Sequence, residues 1–125
     1  MKILITGILG KMGRLVAHQA ALNPQWILVG GIDTRGRTCN DFPVFSTLDE
    51  APLTDVLIDF SYPDQIDAIL SYSKTHQIPL VLATTGYTTE QEQMIADASQ
   101  YLPIFRSANF SYGILIMRKL LALAG

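Results

Sequence analysis

Gly7, Gly10 and Gly13 stand at three-residue spacing, directly after the apolar run Ile3-Leu4-Ile5 and at the start of a helical pattern. Residues of that type in that place make a phosphate clamp. Gly7 permits a tight strand-to-helix turn, Gly10 lets the backbone approach a pyrophosphate, and Gly13 lets the helix lie close on a sheet. The N–H groups at the helix start, with about half a positive charge from the helix dipole, would face the phosphates. Asp33 follows Gly13 by twenty positions and ends a second apolar run, Trp26 to Ile32. A carboxylate there accepts hydrogen bonds from an adenosine ribose. The glycine spacing alone would equally suit a tight turn with a small-residue packing contact, so it is the agreement of glycines, strand, helix and acid that points to a dinucleotide.

The elements that must position these residues follow from periodicity. Lys11 to Leu22 repeats Met12, Val16 and Ala20 at four-residue spacing and stops at Asn23-Pro24, which predicts a first helix. Strand two ends at Ile32, and Thr34 to Phe42 is a polar loop containing Arg35, Arg37 and Cys39. Pro43-Val44-Phe45 reads as a short extended piece, Leu48 to Ala51 as a weak helical turn, and Asp55 to Phe60 as a third main strand. Pro63 opens a helix reaching about Thr75, with Ile66, Ile69 and Leu70 as its apolar face. Ile78 to Ala83 is strand four, and Thr89-x-x-Glu92 is a capping-box pattern for a helix to about Gln100. Pro103 to Arg106 is a short strand, and a last helix follows Gly113 to the final residue. Strands that alternate with helices and are continuously apolar predict an α/β, doubly wound parallel sheet covered on both faces. Ligands of such sheets bind beyond the strands' carboxyl ends, here Thr6-Gly7, Asp33, Phe60-Ser61, Thr84-Thr85-Gly86 and Ser107 to Gly113.

At 125 residues the chain is one domain or part of one, long enough to bury a core. Nine basic against eleven acidic residues leave a net charge of −2 and no basic stripe, which argues against a nucleic-acid partner. Cys39 is alone, so an internal disulfide is excluded and a reducing compartment fits. No run has the length and apolarity of a membrane span and no cleavage pattern follows the first strand, which makes the cytoplasm the expected location. His18 and His76 lack companions at metal-ligand spacing, so no metal is expected.

Four motifs in order resemble the signatures of the dihydrodipicolinate reductase family: Gly7-x-x-Gly10-Lys11-Met12-Gly13, Ile58-Asp59-Phe60-Ser61, Thr84-Thr85-Gly86-Tyr87-Thr88 and Ala108-Asn109-Phe110-Ser111-Tyr112-Gly113. The first is common among nucleotide-binding proteins; the Thr-Thr-Gly and Ala-Asn-Phe-Ser pair is far more specific. The resemblance spans essentially the whole chain. It implies a Rossmann-type domain for hydride transfer from NADH or NADPH to a cyclic unsaturated dicarboxylate in diaminopimelate and lysine synthesis. By the family pattern Gly7, Ile8, Leu9, Gly10, Lys11 and Met12, with Gly13, hold the pyrophosphate and Asp33 the ribose. Phe60 belongs to the cofactor set, and Ala83, Thr84, Thr85, Ser107, Ala108, Asn109 and Phe110 serve the nicotinamide half. Thr84 and Thr85 offer hydroxyl and backbone groups to a carboxamide, or, for Thr85, to a substrate carboxylate.

Three departures from the family pattern carry expectations. Ala83 replaces the usual glycine, bringing a methyl group toward the nicotinamide. Thr34 separates Asp33 from Arg35, so a 2′-phosphate meets Asp33 unfavourably unless Arg35 or Arg37 swings in. The family's acid-supplying, His-rich segment belongs to a second domain that this chain does not reach. Residues 1–125 are therefore expected to form an incomplete dinucleotide-binding domain with no catalytic residue of its own, binding cofactor without turnover. The intact enzyme would be a homo-oligomer acting on a small molecule. The piece alone would self-associate through the apolar residues 114–124, where Ile114, Leu115, Leu120 and Leu121 lack cover. Two other readings stay open. A short-chain dehydrogenase shares Thr6-Gly7-x-x-Gly10-x-x-Gly13 but needs Tyr-x-x-x-Lys, which no tyrosine here satisfies. A nucleotide-sensing or CoA-binding module would use the glycines and Asp33 without requiring Thr84-Thr85-Gly86 or Asn109-Phe110.

Overall fold

The computed structural model describes residues 1–34, 42–106 and 119. Strands β1 (Lys2–Thr6), β2 (Ile27–Ile32), β3 (Val44–Phe45), β4 (Val56–Asp59), β5 (Leu80–Leu82) and β6 (Ile104–Arg106) alternate with helices α1 (Lys11–Leu22), α2 (Ile66–His76) and α3 (Thr89–Ala98). The strands form one sheet in the order β3-β2-β1-β4-β5-β6, every pair parallel. β1 and β4, at the centre, are buried almost throughout. Alternation of side chains sorts their residues between two cores. Ile3, Ile5, Ile58 and Val81 meet Val16 and Ala20 of α1 on one face. Leu4, Leu57, Leu80 and Leu82 meet Ile69 of α2 and Ile95 of α3 on the other. Helices on both faces of a parallel sheet are the doubly wound architecture that the alternating pattern predicts.

The chain runs outward from β1 to β3 and then returns to lay β4 on the other side of β1. This reversal opens a crevice between the carboxyl ends of β1 and β4, the place where such sheets take ligands.

Several expected boundaries move. The third main strand and strand four are shorter than the apolar runs suggested, and Pro63 opens a single 3-10 turn, Pro63–Gln65, before α2 proper. α2 continues to His76 because Gln77, in a left-handed conformation at φ 54°, returns its N–H to the Ser73 carbonyl. The capping box expected at Thr89 and Glu92 is instead built one residue earlier. Thr88 Oγ1 accepts from the Gln91 N–H at 3.1 Å, and Gln91 Oε1 accepts from the Thr88 N–H at 2.8 Å. Glu92 is unavailable for that task, because both its oxygens are engaged by Arg106 at the end of β6. Apart from Lys119, the last helix, and with it the surface at 114–124, lies outside the described residues.

Candidate functional site

The turn after β1 is built around its glycines for three different reasons. Gly7 has φ +67°, and a Cβ there would lie 2.6 Å from the Phe60 carbonyl carbon and 2.9 Å from the Ser61 nitrogen. A Cβ at Gly13 would lie 2.8 Å from Ile8 Cα and collide with the Gly7 carbonyl, so the first turn of α1 rests directly on the loop. Gly10 differs, since the nearest protein atom to its Cβ would be the Gly7 oxygen at 3.3 Å. The fold requires the other two glycines; Gly10 leaves room in front of the helix.

α1 opens without a side-chain cap and without an acidic residue in its first turn. Its first backbone bond runs from the Arg14 N–H to the Gly10 carbonyl at 3.0 Å, so the N–H groups of Lys11, Met12 and Gly13 precede the helical ladder. An anion is the natural partner for such an end. Ile8 and Leu9 contribute differently, because both side chains lie in the core. Asp33, itself buried, accepts the Leu9 N–H at 3.1 Å and so ties the end of β2 to the glycine turn.

A cavity of about 670 Å³ opens at this edge, with Gly7, Gly10, Asp33, Phe60, Ser61 and Tyr62 in its walls. Asp49 and Asp64 add two further carboxylates, and among the described lining residues there is no lysine or arginine. The structure thus brings the glycine turn, Asp33 and Phe60 to one place. Among the described residues, Ala83, Thr84 and Thr85 do not line this cavity; they follow β5, on the other side of the switch point. Ser107, Ala108, Asn109 and Phe110, like Arg35, fall outside the described residues.

The link between the two sides is Asp59, fully buried at the end of β4. Its Oδ1 accepts from the Thr6 hydroxyl at 2.5 Å, the Ser61 hydroxyl at 2.5 Å and the Ser61 N–H at 2.9 Å. The Thr84 hydroxyl lies 3.2 Å from Oδ2 and 3.1 Å from the Ser61 carbonyl. The motif Ile58-Asp59-Phe60-Ser61 by itself assigns Asp59 no role. The signal was there: an acid inside the apolar run Val56-Leu57-Ile58-Asp59-Phe60 must be buried, and a buried charge needs several donors.

Next to this cluster the Tyr87 hydroxyl is buried without a hydrogen bond of ordinary geometry among the described residues. Burial, reinforced by the Asp59 charge and opposed by the Thr84 hydroxyl, pushes the phenol up to about 12. The Arg106 guanidinium stands 5.4 Å from the Tyr87 ring centre and grips Glu92 with two nitrogens. That grip holds the Glu92 carboxyl below its ordinary range and the guanidinium above its own. β6, α3 and the loop after β5 are thereby joined at the rim, a contact set that sequence spacing does not reveal.

The profile described as "Dihydrodipicolinate reductase, N-terminus" matches residues 1–110. The chain is 38% identical over 121 residues to a 4-hydroxy-tetrahydrodipicolinate reductase of Clostridium novyi, covering 96% of this chain and 48% of that protein. A dipicolinate-bound dihydrodipicolinate reductase from Paenisporosarcina sp. TG-14 superposes with a TM-score of 0.75 at 26% identity, over 99% of this chain and 53% of the other. GenD2 from gentamicin A biosynthesis, solved in complex with NAD, shares the fold with a TM-score of 0.72 at 18% identity, over 90% of this chain and 35% of its own. The chain spans about half the length of the curated relatives it matches. Among its described residues no helix is long and apolar enough to cross a membrane. With its Rossmann-type sheet and with most of its length matched by that profile, the chain belongs to the dihydrodipicolinate reductase family, in its N-terminal part.

Proposed function

We propose that this chain is the NADH- or NADPH-binding part of a 4-hydroxy-tetrahydrodipicolinate reductase of diaminopimelate and lysine synthesis. The observation that carries the reading is the uncapped start of α1 facing a cavity at the switch point, with Gly10 leaving space where a pyrophosphate would approach. The N–H groups of Lys11, Met12 and Gly13 would hold the phosphates, and Asp33 the adenosine ribose. Thr84 and Thr85, across the switch point, would meet the nicotinamide, and Thr85, exposed, would also reach a substrate carboxylate. A reduced nicotinamide held there would supply a hydride for a cyclic unsaturated dicarboxylate. The resemblance assigns the proton donor to a His-rich segment that is not among these residues, so a piece limited to these 125 residues is expected to bind cofactor without turnover. Three carboxylates among the described lining residues disfavour a 2′-phosphate unless Arg35 or Arg37, which lie outside the described residues, meets it.

Cofactor fluorescence titration with a reductase assay on the same sample tests this. The reading requires saturable NADH binding and no turnover; no binding, or measurable turnover by the 125-residue chain, would overturn it. Asp33→Ala should weaken NADH by about 1.5–3 kcal/mol, the worth of a hydrogen bond to a charged group, and NADPH by less. Equal losses would show that Asp33 is structural.

A further inference from the structure

We propose that Asp59 is a positioning residue that locks the Thr84 loop to the Thr6-Gly7 turn and so sets the distance between the two halves of the dinucleotide site. This rests on the dinucleotide reading above. The strand ladders end at Thr6, Asp59 and Leu82, with one further bond on each side, from the Phe60 N–H to the Thr6 carbonyl and from the Ala83 N–H to the Asp59 carbonyl, both at 3.0 Å. Thr84 lies past that last backbone contact, and its hydroxyl turns back to the Asp59 carboxylate and the Ser61 carbonyl. On the other side the same carboxylate takes the Thr6 hydroxyl, one residue before the glycine turn. One buried group therefore spans three neighbouring strand ends. In a sheet of this order the adenosine and nicotinamide halves fall on opposite sides of the switch point, which is where Asp59 sits.

The chemistry predicts a particular pattern of substitutions. An asparagine at 59 offers one oxygen to the Thr6 and Ser61 donors. Its amide donates to Thr84 Oγ1, whose own hydrogen then goes to the Ser61 carbonyl, so the geometry survives without the charge. Alanine removes the shared acceptor: the Ser61 donors lose it outright, Thr6 keeps only the Ile58 carbonyl at 3.5 Å and Thr84 only the Ser61 carbonyl at 3.1 Å, so the strand ends are no longer tied to one group, whereas valine at 84 cuts the nicotinamide-side arm.

Calorimetric titration of the full chain with NADH and with ADP, which lacks everything beyond the pyrophosphate, separates these cases. Thr84→Val should lower NADH affinity about five- to tenfold, the worth of one hydrogen bond. The same variant should leave ADP within about twofold, the usual limit of additivity. Asp59→Asn should stay within about threefold for both ligands, below the value of one hydrogen bond, whereas Asp59→Ala should lose both. If Asp59→Ala does not fold, Thr84→Val and Asp59→Asn decide. Equal weakening of ADP and NADH by Thr84→Val, NADH binding by that variant as in wild type, or a folded Asp59→Ala no worse than Asp59→Asn would overturn the proposal while wild type still binds ADP. Failure of wild type to bind either ligand would overturn the dinucleotide reading and this proposal with it.

Discussion

The turn after β1 and the loop after β5 stand on either side of one switch point and are held in opposite ways. The first is shaped by the absence of side chains: Gly7 and Gly13 fit only because nothing projects from them. The second is shaped by side chains that reach across strands: Thr84 to Asp59, Arg106 to Tyr87 and Glu92. A steric requirement is local and fixes residue type at fixed spacing. A polar network is assembled by the tertiary fold and tolerates many spacings.

Breaking the first region should therefore cost most. Gly7→Ala must hold a Cβ at positive φ against the Phe60 carbonyl, adding backbone strain to overpacking, and should destabilise the chain by about 3 kcal/mol. Thermal unfolding followed by circular dichroism checks it. A midpoint unchanged from wild type would mean that the turn yields more readily than its contacts indicate.

This contrast explains what was legible. The glycine turn, the alternation of strands and helices, and the buried central strands could be read directly, because local sterics and hydrophobic period dictate them. Asp59 gave only a warning, an acid in an apolar run, since its donors come from Thr6 and Thr84, 53 and 25 residues away, as well as from neighbouring Ser61. The α3 cap was misplaced by one residue because Thr88 and Thr89 are both capable caps. The choice fell to Glu92, whose partner Arg106 is fourteen residues on. Arg35 and residues 107–110, expected at the site, lie outside the described residues.

On the threonine side a milder test is available. Tyr87→Phe removes a buried hydroxyl that makes no ordinary hydrogen bond among the described residues, so stability at neutral pH should stay within about 1 kcal/mol of wild type or rise slightly. The pH dependence should change in a definite direction. The folded chain holds this proton up to about 12 against an ordinary value of 10.0, so the contribution is complete below 10 and is lost as pH rises toward 12. Urea midpoints between those limits should fall less steeply in Tyr87→Phe; parallel curves would remove Tyr87 from the account.

The smallest effect belongs to Glu92→Gln, because the Arg106 pair is open to solvent and screened. The Glu92 carboxyl is held below its ordinary range, so its contribution is present above about pH 4.3 and disappears as pH falls through the lower folded-state value. Denaturation curves of the two proteins should differ slightly near neutrality and converge in acid. A constant offset at all pH values would mean that the contact acts through packing rather than charge.

Gly10 separates binding from folding. It caps α1 at φ −75° and ψ 170°, angles that alanine accepts, and its Cβ would meet only the Gly7 oxygen at 3.3 Å. The most direct measurement is an NADH fluorescence titration of Gly10→Ala beside wild type, with thermal unfolding of the same samples. The account predicts saturable binding by wild type and at least about a tenfold loss in Gly10→Ala, with stability changed by less than about 1 kcal/mol. Equal NADH binding by both folded proteins would contradict the assignment of this turn as the pyrophosphate site.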